Sequence, residues 1–122
     1  MLVSREICKD RYYKFLHSKS NISLYHGRNW NELIEKSFDV SSYFLGTFNE
    51  EDNLLCVTPY FRLKKFSLIM FGSPLRGLFT MYAGSIFLNN LEELEKSKIL
   101  LSQYQFLKNK ASYIEYGINF KN

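Results

Sequence analysis

Gly72-Ser73-Pro74-Leu75-Arg76-Gly77-Leu78-Phe79-Thr80-Met81-Tyr82-Ala83-Gly84 is the stretch on which the fold turns. It lies within Phe66 to Leu88, a run whose one charge is Arg76. That run is long enough for a bilayer-spanning helix. Arg76 near its centre argues against insertion, because a charge there costs roughly 2.5–3.5 kcal/mol. Gly72, Pro74 and Gly77 also punctuate it as a turn does. The run therefore reads as two buried or half-buried strands joined by a glycine-bracketed loop, with no transmembrane segment. A loop this apolar needs cover from elsewhere in the chain, from a partner or from a ligand.

Upstream, Tyr43 to Phe48 and Leu54 to Leu63 read as two strands. The polar turn Asn49-Glu50-Glu51-Asp52-Asn53 joins them as a hairpin. Pro59 has no N–H for a ladder bond, which predicts an edge, a bulge or a break at that point. Phe66 to Phe71 is a third strand. Asn29 is placed to cap a helix, with Glu32 three residues on. Trp30, Leu33, Ile34 and Phe38 then fall on one helical face. Before that, Asp10 to Ser18 suggests a short helix within a helical lead-in over 1–20, and Asn21 to His26 an extended segment.

Downstream, Asn90 and Glu93 repeat the capping pattern ahead of a longer helix. Glu92, Glu93 and Glu95 crowd its start and Lys108 and Lys110 its end, as the helix dipole favours. Leu100, Tyr104, Leu107 and Ala111 define its expected buried stripe. Tyr113 to Phe120 alternates: Ile114, Tyr116, Ile118 and Phe120 face one way. The expected order is α, short β, α, β, β, β, α, β. It predicts α+β architecture with a mixed, mainly antiparallel sheet and flanking helices in a single domain, 1–122.

Eleven Phe, nine Tyr and one Trp imply many aromatic rings packed with their polar tips at the surface. The net charge of +4 favours anionic partners, but only mildly, since Lys and Glu are interspersed. Cys8 and Cys56 form no CxxC pair, and no Cys/His cluster has zinc spacing, so no metal is expected. Cys56 reads as a buried free thiol. The first residues lack the apolar core of a signal peptide, so a reducing cytoplasmic setting is expected.

Ser23-Leu24-Tyr25-His26 with Trp30, then Thr58-Pro59-Tyr60, Gly72-Ser73-Pro74-Leu75-Arg76-Gly77 and Tyr82-Ala83-Gly84, resembles the N-terminal part of FemAB-like, GNAT-fold N-acyltransferases. The likeness runs from about Asn21 onward and rests on a strand pattern and a Gly-Ser-Pro loop. It implies a GNAT-like half domain of an enzyme built from two such halves, with the cleft between them. It also implies transfer of an acyl or aminoacyl group to an amine, from acyl-CoA or aminoacyl-tRNA. A second acyltransferase half or a homodimer partner would then complete the cleft, with an anionic small molecule or cell-wall precursor as substrate. A chain of this length would be incomplete and inactive alone. GNAT enzymes hold the CoA pyrophosphate on a Gly-rich loop before a helix. Here Ile86-Phe87-Leu88-Asn89-Asn90 stands at that place, without glycine.

The resemblance marks Ser73, Tyr60, Tyr82 and Arg76 as substrate-binding candidates. The Arg76 fork suits phosphate or carboxylate, and the two tyrosines offer hydroxyls. Their plainer roles are a solvated loop cation and packed aromatics. His26 and Glu115 are the candidate acid–base groups, against plainer roles as a structural histidine and a solvent-facing strand residue. Glu50, Glu51 and Asp52 read as a solvated tip. Two other classes compete: a ferredoxin-like module that stacks RNA bases on its sheet, and a non-catalytic subunit that dimerises through the apolar loop.

Overall fold

The computed structural model describes residues 1–19, 26–73 and 84–116, apart from the side chains of Lys65 and Glu115. The elements are β1 (Val3–Ile7), α1 (Lys9–His17), α2 (Arg28–Phe38), β2 (Ser41–Phe48), β3 (Leu54–Lys65), β4 (Leu68–Ser73), β5 (Ile86–Phe87), α3 (Glu93–Leu107) and β6 (Tyr113–Tyr116). The sheet runs β1-β2-β3-β4-β6, with β5 also on β3. Neighbours are antiparallel except β4 and β6, which run parallel across the α3 crossover. The fold is thus α+β with a mixed, mainly antiparallel sheet between flanking helices.

β4 and β5 share one side of β3, because β2 occupies the other. Phe61 faces Gly72 in β4, and Val57 faces Ile86 in β5. Between those two pairs, Ser73 and Gly84 meet: the Gly84 N–H donates to Ser73 Oγ at 3.0 Å. Pro59 lies at this junction and accepts a short hydrogen bond from Ser73 Oγ on its carbonyl. A strand residue's N–H and C=O point to the same side, so the donor that Pro59 lacks falls where β4 gives way to β5. This lets a proline sit inside a central strand. It is the neighbouring ladder that is interrupted, and β3 itself runs on.

One face of the sheet is covered by α1 and α2. Ile7, Phe44, Phe48 and Val57 pack there against Tyr12, Tyr13 and Leu16. Tyr12 stacks on Phe44 with centroids 4.3 Å apart. Phe48 is fully buried, and the Arg5 and Arg11 guanidiniums lie 3.7 and 4.8 Å from its ring centroid. Burying one such ring stabilises the fold by about 1.5–3 kcal/mol. Gly46 is needed on this face, since a Cβ there would stand 2.9 Å from both Ile7 Cγ2 and Leu54 Cδ1. Beyond it, Ile34 of α2 packs with Val40 and Phe61. On the other face, α3 sets Leu107 against Leu45, Tyr60 and Phe71.

Several local expectations shift. β1 was not anticipated. The cap of α2 is Gly27, not Asn29, and the buried residues of that helix are Asn31 and Ile34, with Leu33 exposed. The third strand starts at Leu68, because Phe66 occupies the β3–β4 turn at φ 57°. Glu92 caps α3 in a capping box with Glu95, and Asn90 lies outside the helix in a left-handed turn. The buried residues of α3 are Ile99, Gln103 and Leu107, and Ala111 packs on the same cluster; Leu107 and Ala111 are as expected, while Ile99 and Gln103 take the places expected of Leu100 and Tyr104, and Tyr104 is exposed. The expected strand at 21–26 lies outside the described residues, except for His26 in a short turn, as does 117–120 of the last strand.

The order also departs from a ferredoxin-like module. β1 and β2 are antiparallel neighbours, so the described residues contain no first parallel βαβ unit. Among the described residues helices pack on both faces, where stacked bases would need an open platform.

Candidate functional site

The parallel pair β4 and β6 ends with Ser73 beside Tyr116. In sheets with parallel strands, ligands lie outside the carboxyl ends of those strands. This end of the sheet gathers Ser73, Gly84, Ser85, Thr58, Tyr116 and, through Gly84, His26.

Ser73 is fully buried. Its hydroxyl hydrogen goes to the Pro59 carbonyl, and its oxygen accepts from Gly84 N–H. A serine so engaged is not an activated nucleophile, which needs its hydrogen on a base. His26 is 2 % exposed, and its Nε2 lies 3.1 Å from the Gly84 carbonyl. A carbonyl only accepts, so Nε2 carries a hydrogen. Burial lowers the His26 pKa, and the Gly84 hydrogen bond partly offsets this. The Tyr12 hydroxyl donates to the His26 backbone carbonyl at 3.0 Å. Ser73 and His26 thus grip the N–H and the C=O of the same glycine, not each other. Gly84 has φ 102°, a conformation that glycine adopts freely.

Tyr60 is buried against Phe71, and desolvation drives its pKa far up, with Tyr116 and Cys56 adding to the rise. It stays neutral and serves as packed core. Glu115 lies opposite Gly72 in the register of β6 with β4. Arg76 and Tyr82 lie outside the described residues.

A buried polar seam leads from this site across the α3 face. Tyr116 OH donates to Ser85 Oγ at 2.8 Å and accepts from Ser85 N–H at 3.1 Å. Ser85 Oγ lies 2.6 Å from Thr58 Oγ1, and Thr58 donates to Gln103 Oε1 at 3.0 Å. With its hydrogen spent on Gln103, Thr58 accepts from Ser85. Gln103 Nε2 donates to Thr47 Oγ1 at 3.2 Å and to Cys56 Sγ at 3.6 Å. Ser4 joins Thr47 to Ser102, at 2.8 Å each. Ser4, Thr47, Thr58, Ser85 and Gln103 carry no signal of function in the sequence. Only the alternation of Tyr116 with Ile114 hinted at that side of the sheet.

Burial pushes the Cys56 thiol up to about 12 despite its hydrogen-bonding neighbours, so it is an inert core thiol. Among the described residues no group of His, Cys, Asp and Glu is placed to hold a metal ion. No described helix is long and apolar enough to cross a membrane.

The N-terminus of α3 is where a phosphate would bind in a GNAT enzyme. Here Glu92 caps the helix, Glu95 receives the Glu92 N–H at 3.3 Å, and Glu93 stands in the first turn. The carboxylates take the favourable end of the helix dipole for themselves. They do not fit a pyrophosphate.

No protein-family model and no curated protein matches the chain. Among solved structures, a chain from Pyrococcus furiosus provisionally described as an acetyl transferase aligns with it. The two are 12% identical with a TM-score of 0.49, over 100% of this chain and 85% of that one. A likeness this distant decides nothing about activity.

Proposed function

We propose that the chain is a GNAT-like acyltransferase-type domain of the FemAB kind. It takes part in acyl or aminoacyl transfer to an amine when a second half or partner completes its cleft. The observation that supports this most is the β4–α3–β6 crossover following an antiparallel meander. It sets the carboxyl ends of two parallel strands side by side, at Ser73 and Tyr116. In this reading Ser73 and His26 are positioning residues that fix Gly84 at the border of the site. Arg76 and Tyr82 of the Gly72–Gly84 stretch remain its proposed substrate contacts.

The carboxylates at the start of α3 weigh against a CoA pyrophosphate there. Aminoacyl-tRNA is the donor that remains, and the net charge of +4 suits it. Titration with acetyl-CoA and with an aminoacylated tRNA separates the possibilities. The expectation is salt-dependent binding of the tRNA and no saturable binding of acetyl-CoA. Saturable acetyl-CoA binding would overturn the argument from α3. Failure to bind tRNA at low ionic strength would remove the aminoacyl-transfer reading.

A further inference from the structure

Over most of the chain the charges balance, but not along α1 and the start of α2. Residues 11–31 carry Arg11, Lys14, Lys19 and Arg28 and no Asp or Glu. The remaining 12 basic residues match the 12 acidic ones, so the net charge of +4 belongs to this stretch. Tyr12, Tyr13 and Leu16 turn inward from α1, which leaves Arg11 and Lys14 exposed on its outer side. The Arg11 guanidinium lies over the Phe48 ring, which it shares with Arg5. Half-buried Phe15 stands one turn further on, about 6 Å along the helix. Lys19 follows just past the helix end, with Nζ 5.2 Å from the Phe15 ring centroid and 3.4 Å from the neutral Asn89 Oδ1. The acids at the margin are already paired: Asp52 with Arg5 at 3.2 Å, and Asp10 with Arg28 at 3.9 Å. Lys9 shares a separate cavity with Glu6, Glu32 and Glu35. No described carboxylate pairs with Arg11, Lys14 or Lys19.

We propose that the outer face of α1 binds the sugar–phosphate backbone of RNA, with Arg11, Lys14 and Lys19 on its phosphates. This rests on the aminoacyl-tRNA reading above and gives that donor its docking face. A row of unpaired cations suits a regularly repeating anion. The rings beneath Arg11 and Lys19 hold those side chains in place, which lowers the ordering cost of each contact. Such contacts position a nucleic acid and read no sequence. A membrane surface also attracts cations, but an interfacial helix buries an apolar face in the lipid. α1 turns its apolar residues into the core and contributes none of the large hydrophobic side chains exposed among the described residues. A protein partner would need an apolar or aromatic anchor, which this face does not offer either. The helix also adjoins the candidate site: Tyr12 donates to the carbonyl of His26, whose ring holds Gly84.

Fluorescence anisotropy of labelled, deacylated tRNA with the full chain tests this over a salt series. With three phosphate contacts the affinity should fall roughly 20- to 40-fold between about 50 and 200 mM salt. Lys14→Glu combined with Lys19→Glu should flatten the log–log salt slope by about two and weaken binding about a hundredfold at the low-salt end. Lys98→Glu combined with Lys108→Glu makes the same change in net charge on the exposed side of α3, across the sheet, and should shift affinity only slightly. Equal losses in the two pairs would overturn the proposal, since bulk charge and not this face would then be responsible. Tight binding that ignores Lys14 and Lys19 would overturn the face alone and leave the aminoacyl-transfer reading standing. Wild type that fails to bind tRNA at low salt would overturn both, and Lys14- and Lys19-dependent binding to phosphatidylserine vesicles in its place would give the face to a membrane. Binding lost in the α1 pair, with no aminoacyl transfer by the wild type, would keep the face and remove the transfer reading. Circular dichroism checks that each variant folds, and should the α1 pair not fold, Lys14→Gln alone carries the test through a slope change of about one.

Discussion

The two faces of the sheet are built on different chemistry. On the α1/α2 face, contact is almost entirely ring on ring and ring on aliphatic, with Tyr12, Tyr13, Phe44 and Phe48 at its centre. On the α3 face, Leu45, Phe71 and Leu107 sit beside a seam of buried hydroxyls and one amide. The first face gains its stability from area removed from water, a non-directional effect that tolerates small shifts. The second must satisfy directional partners one by one, and an unmade bond there costs more than a made one contributes. The polar seam ends at the carboxyl ends of β4 and β6, where the candidate site lies. The aromatic face opens elsewhere, in a cavity of about 270 Å³ whose lining includes Ile7, Tyr13, Glu32, Glu35 and Phe44. His26 ties the two together: its backbone carbonyl holds Tyr12, and its ring holds Gly84.

The largest effect should come from breaking the aromatic face. Phe48→Ala removes a fully buried ring and is expected to cost about 3–5 kcal/mol in urea unfolding. On the α3 face, Gln103→Leu takes one hydrogen bond each from Thr47 and Thr58, which keep Ser4 and Ser85 as partners, and should cost about 1–3 kcal/mol. Adding Thr47→Val and Thr58→Val to Gln103→Leu should restore part of that loss. Simple additivity of the three would mean that the seam is not one network.

The His26 link is smaller and depends on pH. Its folded pKa lies below the ordinary 6.5, so the unfolded chain takes up the proton more readily. Stability from this group is then complete above pH 6.5 and declines as pH falls through and below that value. Thermal melts of wild type and His26→Gln should diverge on the acid side of that window, with the variant less pH-sensitive. Parallel curves would show that His26 is not the titrating group.

The least effect on stability comes from thiol labelling, which reads access on the seam side. Exposed Cys8 should react promptly with a disulfide reagent, while buried Cys56, with its thiol pushed up to about 12, should react only as the chain unfolds. Prompt labelling of both would show that the α3 face opens in the native state.

The hairpin at 49–53 was legible in the sequence because its turn is local. Asn49 Oδ1 accepts from Glu51 and Asn53 N–H, within five residues of chain. The α3 helix was legible as well, but not which of its faces is buried. It is apolar on both sides, so periodicity alone could not choose between Leu100 with Tyr104 and Ile99 with Gln103. β1 escaped notice because Val3-Ser4-Arg5-Glu6-Ile7 has two charges and becomes a strand only by pairing with β2. Of the candidate site, Ser73 was picked out by the family resemblance and His26 by residue type. Their shared hold on Gly84 was not, because the two residues are joined through a third that is distant from His26 in the chain.

By itself the sequence determined the α+β class, the central hairpin, the buried thiol and a glycine-free lead-in to α3 with an acidic first turn. These follow from local propensity, alternation and charge placement, which act within a few residues. Only the tertiary structure decided that Ser73 and Gly84 meet beside Pro59, that β6 runs parallel to β4, and that a hydroxyl seam links Tyr116 to Gln103. Such contacts join residues far apart in the chain, and their geometry is set by the register of the sheet, which no local pattern encodes.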